Sequence, residues 1–290
     1  MNGTDHRLGL VLVTAAAVAW SLAGFFTRLI VLDTWTILAW RGLFGALGTA
    51  LFIAATQRRQ AWDAFRGMGW PGWLFALLSA VGMILFITSL RHTTVAHVAV
   101  IYATVPFVAA GLGWLAMRER PSGSALLAST AALAGVALMV GLSAEGGALG
   151  DLLAFGMTAS MAGMMVMMRR FRSIPALPVA CLSALLCGLA SWPLGSPLSV
   201  GGYDFVLLAL FGIVNSALGL VFFALGARHL PAIETALVTA LDAPLAPLWI
   251  WFAFGETPAQ ATLFGGAIVL AAVMGHILHE HARPRVEAVC

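Results

Sequence analysis

The sequence of 290 residues contains no lysine, so all 15 of its basic residues are arginine. Charge of either sign is scarce: 9% of the chain, where a soluble domain carries about 25%. With 61% hydrophobic residues and a mean hydropathy of +0.97, a water-soluble domain with a polar surface is excluded. The chain reads as an integral membrane protein. The missing lysine is compatible with a GC-rich genome and carries no mechanistic weight. Although the isoelectric point is near 9.1, the arginines occur singly or in short clusters at the ends of apolar runs, which marks topology and not a nucleic-acid partner. Cysteine is also sparse. Cys181 and Cys187 fall inside an apolar run and Cys290 is terminal, so neither a disulfide framework nor a metal spacing emerges. His276, His279 and His281 are close to the end of the chain and lack convincing co-ligands, so no metal and no cofactor are expected. The first apolar run, Leu8 to Leu32, is longer than a signal-peptide core and has no basic leader beyond Arg7, so it is read as a retained helix.

A membrane-crossing helix needs about 20 mostly apolar residues, and turn signals divide the chain into ten such runs. These are Arg7 to Ile30, Thr34 to Thr56, Trp70 to Leu90, Thr93 to Met117, Ser122 to Leu142, Leu149 to Met168, Ala176 to Leu194, Asp204 to Ala227, Pro231 to Phe254 and Pro258 to His279. Placing both termini in the cytoplasm puts twelve of the fifteen arginines on that side; only Arg28 and Arg91 fall at the outer ends, and Arg41 lies within the second span.

The chain also repeats itself. Arg91 and His92 recur as Arg228 and His229, Trp114 as Trp251, Glu119 as Glu256 and Pro121 as Pro258, each pair at the same spacing along the chain. Two units are expected, residues 1–143 and 144–290. A unit of five spans is odd, so the second copy enters the membrane from the opposite side. The predicted fold is therefore all-α, with ten transmembrane helices in two inverted five-helix repeats. Pro106 in the fourth span and Pro244 and Pro247 in the ninth each remove a helical hydrogen bond and are expected to break those helices. Glu119 and Glu256 close equivalent loops, and Gly42, Ala46 and Ala50 form a small-residue ridge suited to close helix contact.

Polar residues deep in such spans are the candidates for function. Asp242 lies about 16 Å into the ninth span, where a carboxylate costs about 2.5–3.5 kcal/mol; it either faces a polar cavity or forms a structural pair. Asn215 stands at similar depth in the eighth span and either bridges helices or meets substrate. Arg41 is about two turns below the outer end of the second span, where it snorkels, pairs with Asp33 or binds an anion. Together these three suit a zwitterion, with the carboxylate on Arg41 or on freed backbone amides and the ammonium on Asp242. His97 and Tyr102 in the outer half of the fourth span offer further polar contacts, although a lone histidine is more often a packing residue. Trp20 and Ser21 lie midway through the first span, too deep for an interfacial belt. Met157, Met161, Met164 and Met168 repeat along one stripe, which either fills gaps between helices or lines a cavity through Met161.

The segments from Leu90-Arg91-His92-Thr93-Thr94 to Glu119-Arg120, and from Ala227-Arg228-His229-Leu230-Pro231 through Asp242-Ala243-Pro244 to Gly255-Glu256-Thr257, resemble the repeated unit of the drug/metabolite transporter superfamily. The ten-helix, EamA-like metabolite exporters are the most similar branch. Ala19-Trp20-Ser21 resembles that family's first-helix signature and Trp40-Arg41 its second-helix arginine, whereas the family often has an acid directly before proline where this chain has Asp242-Ala243-Pro244. The resemblance implies a multi-pass carrier of the bacterial inner membrane, with lipid and a small molecule as its partners, existing as a monomer or homodimer. It implies a secondary transporter exporting amino acids, aromatic and other bulky apolar ones, by alternating access around a midplane cavity. The alternative is efflux of cationic drugs or other small metabolites by the same fold. An intramembrane enzyme is disfavoured, since no nucleophile with its base or metal gathers near one interface.

Overall fold

Backbone polar groups have no water partner inside a bilayer, so a chain this apolar crosses it as helices that satisfy their own hydrogen bonds. The computed structural model describes residues 3–57, 61–93, 95–140, 147–172, 174–255 and 257–282, and among these it is helical throughout its ordered elements, with no strand. The first span is α1 (Gly3–Ser21) followed by α2 (Ala23–Leu29); the second is α3 (Thr34–Gln57); a short α4 (Ala61–Arg66) leads to the third, α5 (Gly69–His92). The fourth span is α6 (Val95–Tyr102) with α7 (Val105–Met117), and the fifth is α8 (Gly123–Val140). The sixth and seventh are α9 (Ala148–Arg170) and α10 (Ala176–Ser191). The eighth comprises α11 (Gly202–Phe211), a π-helical segment (Gly212–Leu218) and α12 (Gly219–Gly226). The ninth is α13 (Ala232–Thr239) with α14 (Asp242–Phe254), and the tenth is α15 (Gln260–Ala282). Among the described residues, nine of these spans are long and apolar enough to cross a bilayer; the fifth has a shorter apolar stretch, Gly123–Met139.

The helix breaks obey the repeat. α6 ends at Tyr102 and α13 at Thr239, α7 starts at Val105 and α14 at Asp242, and the left-handed residues that close these helices are Arg118 (φ 58°) and Gly255 (φ 70°). Every one of these pairs has the spacing that separates Arg91 from Arg228. Pro106 sits in the first turn of α7, where its missing N–H is harmless, so the chain turns at Ala103 and Thr104, before the proline. Pro244 holds a similar place one residue later in α14, whereas Pro247 is inside the helix and leaves the Ala243 carbonyl without its usual donor.

Packing partners also exchange under the inversion. The second span packs on the seventh, the fifth on the tenth and the fourth on the ninth; the third packs on the sixth as the eighth does on the first. At the second–seventh contact a Cβ on Gly42 would lie 2.6 Å from the Ala184 carbonyl oxygen, and at the fifth–tenth contact one on Gly135 would lie 2.7 Å from that of Gly265. Such backbone approach is how helices associate where lipid removes the hydrophobic drive. The largest core cluster joins both halves through Phe75, Val105, Met165, Met168, Val179 and Phe223. Large apolar side chains point outward, among them Leu51, Phe52, Leu127, Leu152, Phe252 and Phe264, a surface that suits lipid tails.

Candidate substrate site

Arg41 lies two turns into α3, and its side chain is buried. It neither snorkels nor reaches Asp33, whose carboxylate instead accepts from the Thr36 backbone N–H at 2.9 Å and starts α3. The guanidinium Nη1 donates to Asn215 Oδ1 at 3.1 Å, Nη2 approaches the Met83 sulfur at 3.6 Å, and the group lies 5.2 Å from the centre of the Phe211 ring. The Cys187 thiol is beside it. Nε has no hydrogen-bond partner, and among the described residues no carboxylate lies within ion-pair distance.

Asn215 falls in the π-helical segment, a geometry that re-aims a side chain by inserting a residue into the turn. Its Nδ2 donates to the carbonyls of Ala19 at 3.2 Å and Trp20 at 3.4 Å, so it joins the first, second and eighth spans. Just beyond Trp20 the first span breaks at Leu22. Beside the break, Ser21 Oγ donates to the Val18 carbonyl at 2.7 Å and accepts from Trp249 Nε1 at 2.8 Å. The Trp20 indole covers Gly219 so closely that a Cβ there would stand 2.5 Å from Nε1, and its ring is 5.2 Å from that of Phe223.

The candidates thus divide. Arg41, Asn215, Trp20 and Ser21 form one connected group. Asp242 opens α14 at the ninth-span break, with Tyr102, at the fourth-span break, as its electrostatic neighbour. No basic side chain is within ion-pair distance of Asp242 among the described residues. Trp20, Tyr102 and Met161 are all half-buried against the largest core cluster. Met157, Met164 and Met168 are buried, so the methionine stripe is mostly core. His97 Nδ1 is 3.1 Å from Asp151 Oδ1, at the far end of the bundle from the N-terminus.

Sequence reasoning missed Met83, Cys187, Phe211 and Trp249, which carry no charge or motif to announce them. It also missed Glu234, buried in the first turn of α13, whose Oε2 lies 2.9 Å from His6 Nε2; a charge inside an apolar run was the available signal. Glu119, expected as a loop anchor, pairs with Arg169 at 3.2 Å, whereas Glu256 lies outside the described residues. No metal-binding cluster occurs among the described residues, and His276 instead approaches Glu234 at 3.9 Å.

A ten-span bundle of two inverted halves, with helices broken at matching depths and buried polar groups beside the breaks, defines a membrane carrier for small molecules. The model of the EamA-like transporter family matches residues 7–141 and again 148–278, so the chain belongs to that family of membrane transporters. A solved structure described only as "Crystal structure of protein" is similar to it, with TM-score 0.81 and 18% identity, covering 97% of this chain and 100% of its own; that likeness shows the fold. A search of curated proteins finds no match.

Proposed function

We propose that this transporter exports amino acids, aromatic and other bulky apolar ones, and that Arg41 receives their carboxylate. The observation that carries this reading is a buried guanidinium with an unpartnered Nε, steadied by Asn215 and without a carboxylate of its own. A charge inside the bilayer needs a partner, and guanidinium forks match carboxylates. Trp20, Tyr102 and Met161 then supply apolar surface to the side chain, and Ser21 holds the broken first span through Trp249. Asp242, with no basic side chain at ion-pair distance among the described residues, is suited to coupling transport to protons. The bias of arginines toward the loops on the N-terminal side of the predicted spans supports cytoplasmic termini in a bacterial inner membrane.

A second reading, efflux of lipophilic cations, draws on Asp242, which has no basic neighbour at ion-pair distance among the described residues. Thermal shifts of the purified protein separate the two. If Arg41 anchors cargo, phenylalanine and 3-phenylpropionate stabilise the protein and phenethylamine does not. Stabilisation by phenethylamine and tetraphenylphosphonium, with none by 3-phenylpropionate, would replace the first reading with the second.

A further inference from the structure

His97 and Glu234 are counterparts in the two repeats, at the same spacing as the helix breaks that follow them. Each opens the fourth or ninth span, and each is tied to the start of a span from the other half. At the end away from the N-terminus, His97 Nδ1 meets Asp151 Oδ1 and Oδ2 at 3.1 and 3.2 Å, and Thr93 Oγ1 donates to Oδ1 at 2.7 Å. Asp151 lies in the first turn of α9. At the N-terminal end, Glu234 meets His6 in the first turns of α1 at 2.9 Å, with His276 of α15 at 3.9 Å. Acid and base have changed places between the two pairs.

The backbone around them repeats as well. A Cβ on Gly150 would stand 2.6 Å from Thr93 Cβ, and one on Gly9 would stand 2.9 Å from His229 Cβ and 3.0 Å from Leu230 Cγ. Thr93 and Leu230 are counterparts at the spacing of the repeat, and Gly9 and Gly150 both lie within the first two turns of α1 and α9. One tight junction has therefore been built twice, once at each membrane face, each sealed by a histidine–carboxylate pair. The N-terminal junction adjoins a cleft of about 210 Å³ lined by Glu234, Arg169, Glu119 and, deeper, Ala109 and Ala110 of α7.

We propose that the two junctions are the gates of the carrier and that the His97–Asp151 and His6–Glu234 pairs are their latches, one released at each face in turn. This rests on the transport reading above. Hydrogen-bonded pairs near an interface suit such switching, since water can take over their hydrogen bonds when they part.

Reversible cross-linking tests it. In a Cys290→Ser background, His97→Cys with Asp151→Cys places two thiols across the far junction, and His6→Cys with Glu234→Cys does so across the near one, where a short ethylene bis-methanethiosulfonate can bridge them. Bridging at either junction should abolish phenylalanine counterflow in proteoliposomes, and dithiothreitol should return it to the level of the untreated variant; full cross-linking with unchanged counterflow would overturn the proposal. A second arm is independent of both engineered thiols and transport. Hydrogen exchange of the full chain in lipid nanodiscs should rise about fivefold or more in Asp151→Asn and in Glu234→Gln, at the mutated junction and also at the mid-depth breaks around residues 103–105 and 240–243. A rise confined to the junction itself, or none, would reduce the pairs to local staples. If the wild-type protein moves no substrate, the transport reading fails, and the exchange arm alone decides the latches.

Discussion

Replacing Arg41 separates a binding role from a structural one, because the two predict opposite changes in stability. Arg41→Met keeps much of the side-chain volume and removes the charge. Hydrogen bonds to charged groups contribute about 1.5–3 kcal/mol, so loss of the carboxylate's partner should raise the KM for phenylalanine about 10- to 150-fold. The empty protein should behave differently. A buried charge with no ion partner costs the fold several kcal/mol, and its removal relieves that cost, offset by about 1–3 kcal/mol for leaving Asn215 Oδ1 unpaired. The variant's Tm without ligand should therefore not fall, and Arg41→Met with Asn215→Leu, which removes both partners, should melt no lower than the single variant. Arg41→Lys keeps the charge without the planar fork and should give an intermediate KM. Counterflow kinetics and thermal unfolding in the same detergent provide both readouts. An unchanged KM together with a lowered Tm would refute the reasoning and make Arg41 a structural cation.

Gly219→Ala should displace the Trp20 indole, since the new Cβ would stand 2.5 Å from its Nε1; counterflow should show a raised KM for tryptophan with little change for methionine. Trp249→Phe, which deletes the donor to Ser21 at the first-span break, should cost about 1 kcal/mol, read as a lower Tm. At the paired left-handed helix ends, Arg118→Gly should stabilise and Gly255→Ala destabilise, each by about 1 kcal/mol, and thermal unfolding would show whether the signs are opposite. Burial raises the affinity of Asp33 for a proton, but hydrogen bonds from Thr36, Ser196 and Trp35 outweigh it and hold the carboxyl below its ordinary value. Its stabilisation is thus complete above about pH 3.9, the unfolded value, and disappears as pH falls through the lower folded value. Tm measured against pH should lose that acid-sensitive component in Asp33→Asn.

The span count, the inverted repeat and the breaks in the fourth and ninth spans were legible because apolar runs, proline and a constant spacing between matching residues encode them directly. The breaks fall a few residues from where proline alone would put them, at Thr104 and Leu241, since proline is tolerated in the first turn of the helix that follows. The first-span break at Leu22 has no proline to mark it. Candidate residues were legible by depth but not by neighbour. Arg41 and Asn215 are 174 positions apart and meet because small residues let the second and eighth spans approach. Asp242, weighed as the third member of a zwitterion site with them, opens α14 at the ninth-span break, and its depth in the sequence did not name its neighbours. His97 was placed in the outer half of its span, but nothing in the sequence named Asp151 as its partner at the far junction. Helix rotation and tilt decide each case, and both are set by packing between spans that hydropathy does not resolve.

The most direct test of the central claim is counterflow of radiolabelled phenylalanine in proteoliposomes of the purified wild-type protein, with Arg41→Met alongside. The account predicts saturable exchange by the wild type and a strongly raised KM in the variant. No exchange above empty liposomes from folded wild-type protein, or identical kinetics for the two proteins, would contradict it.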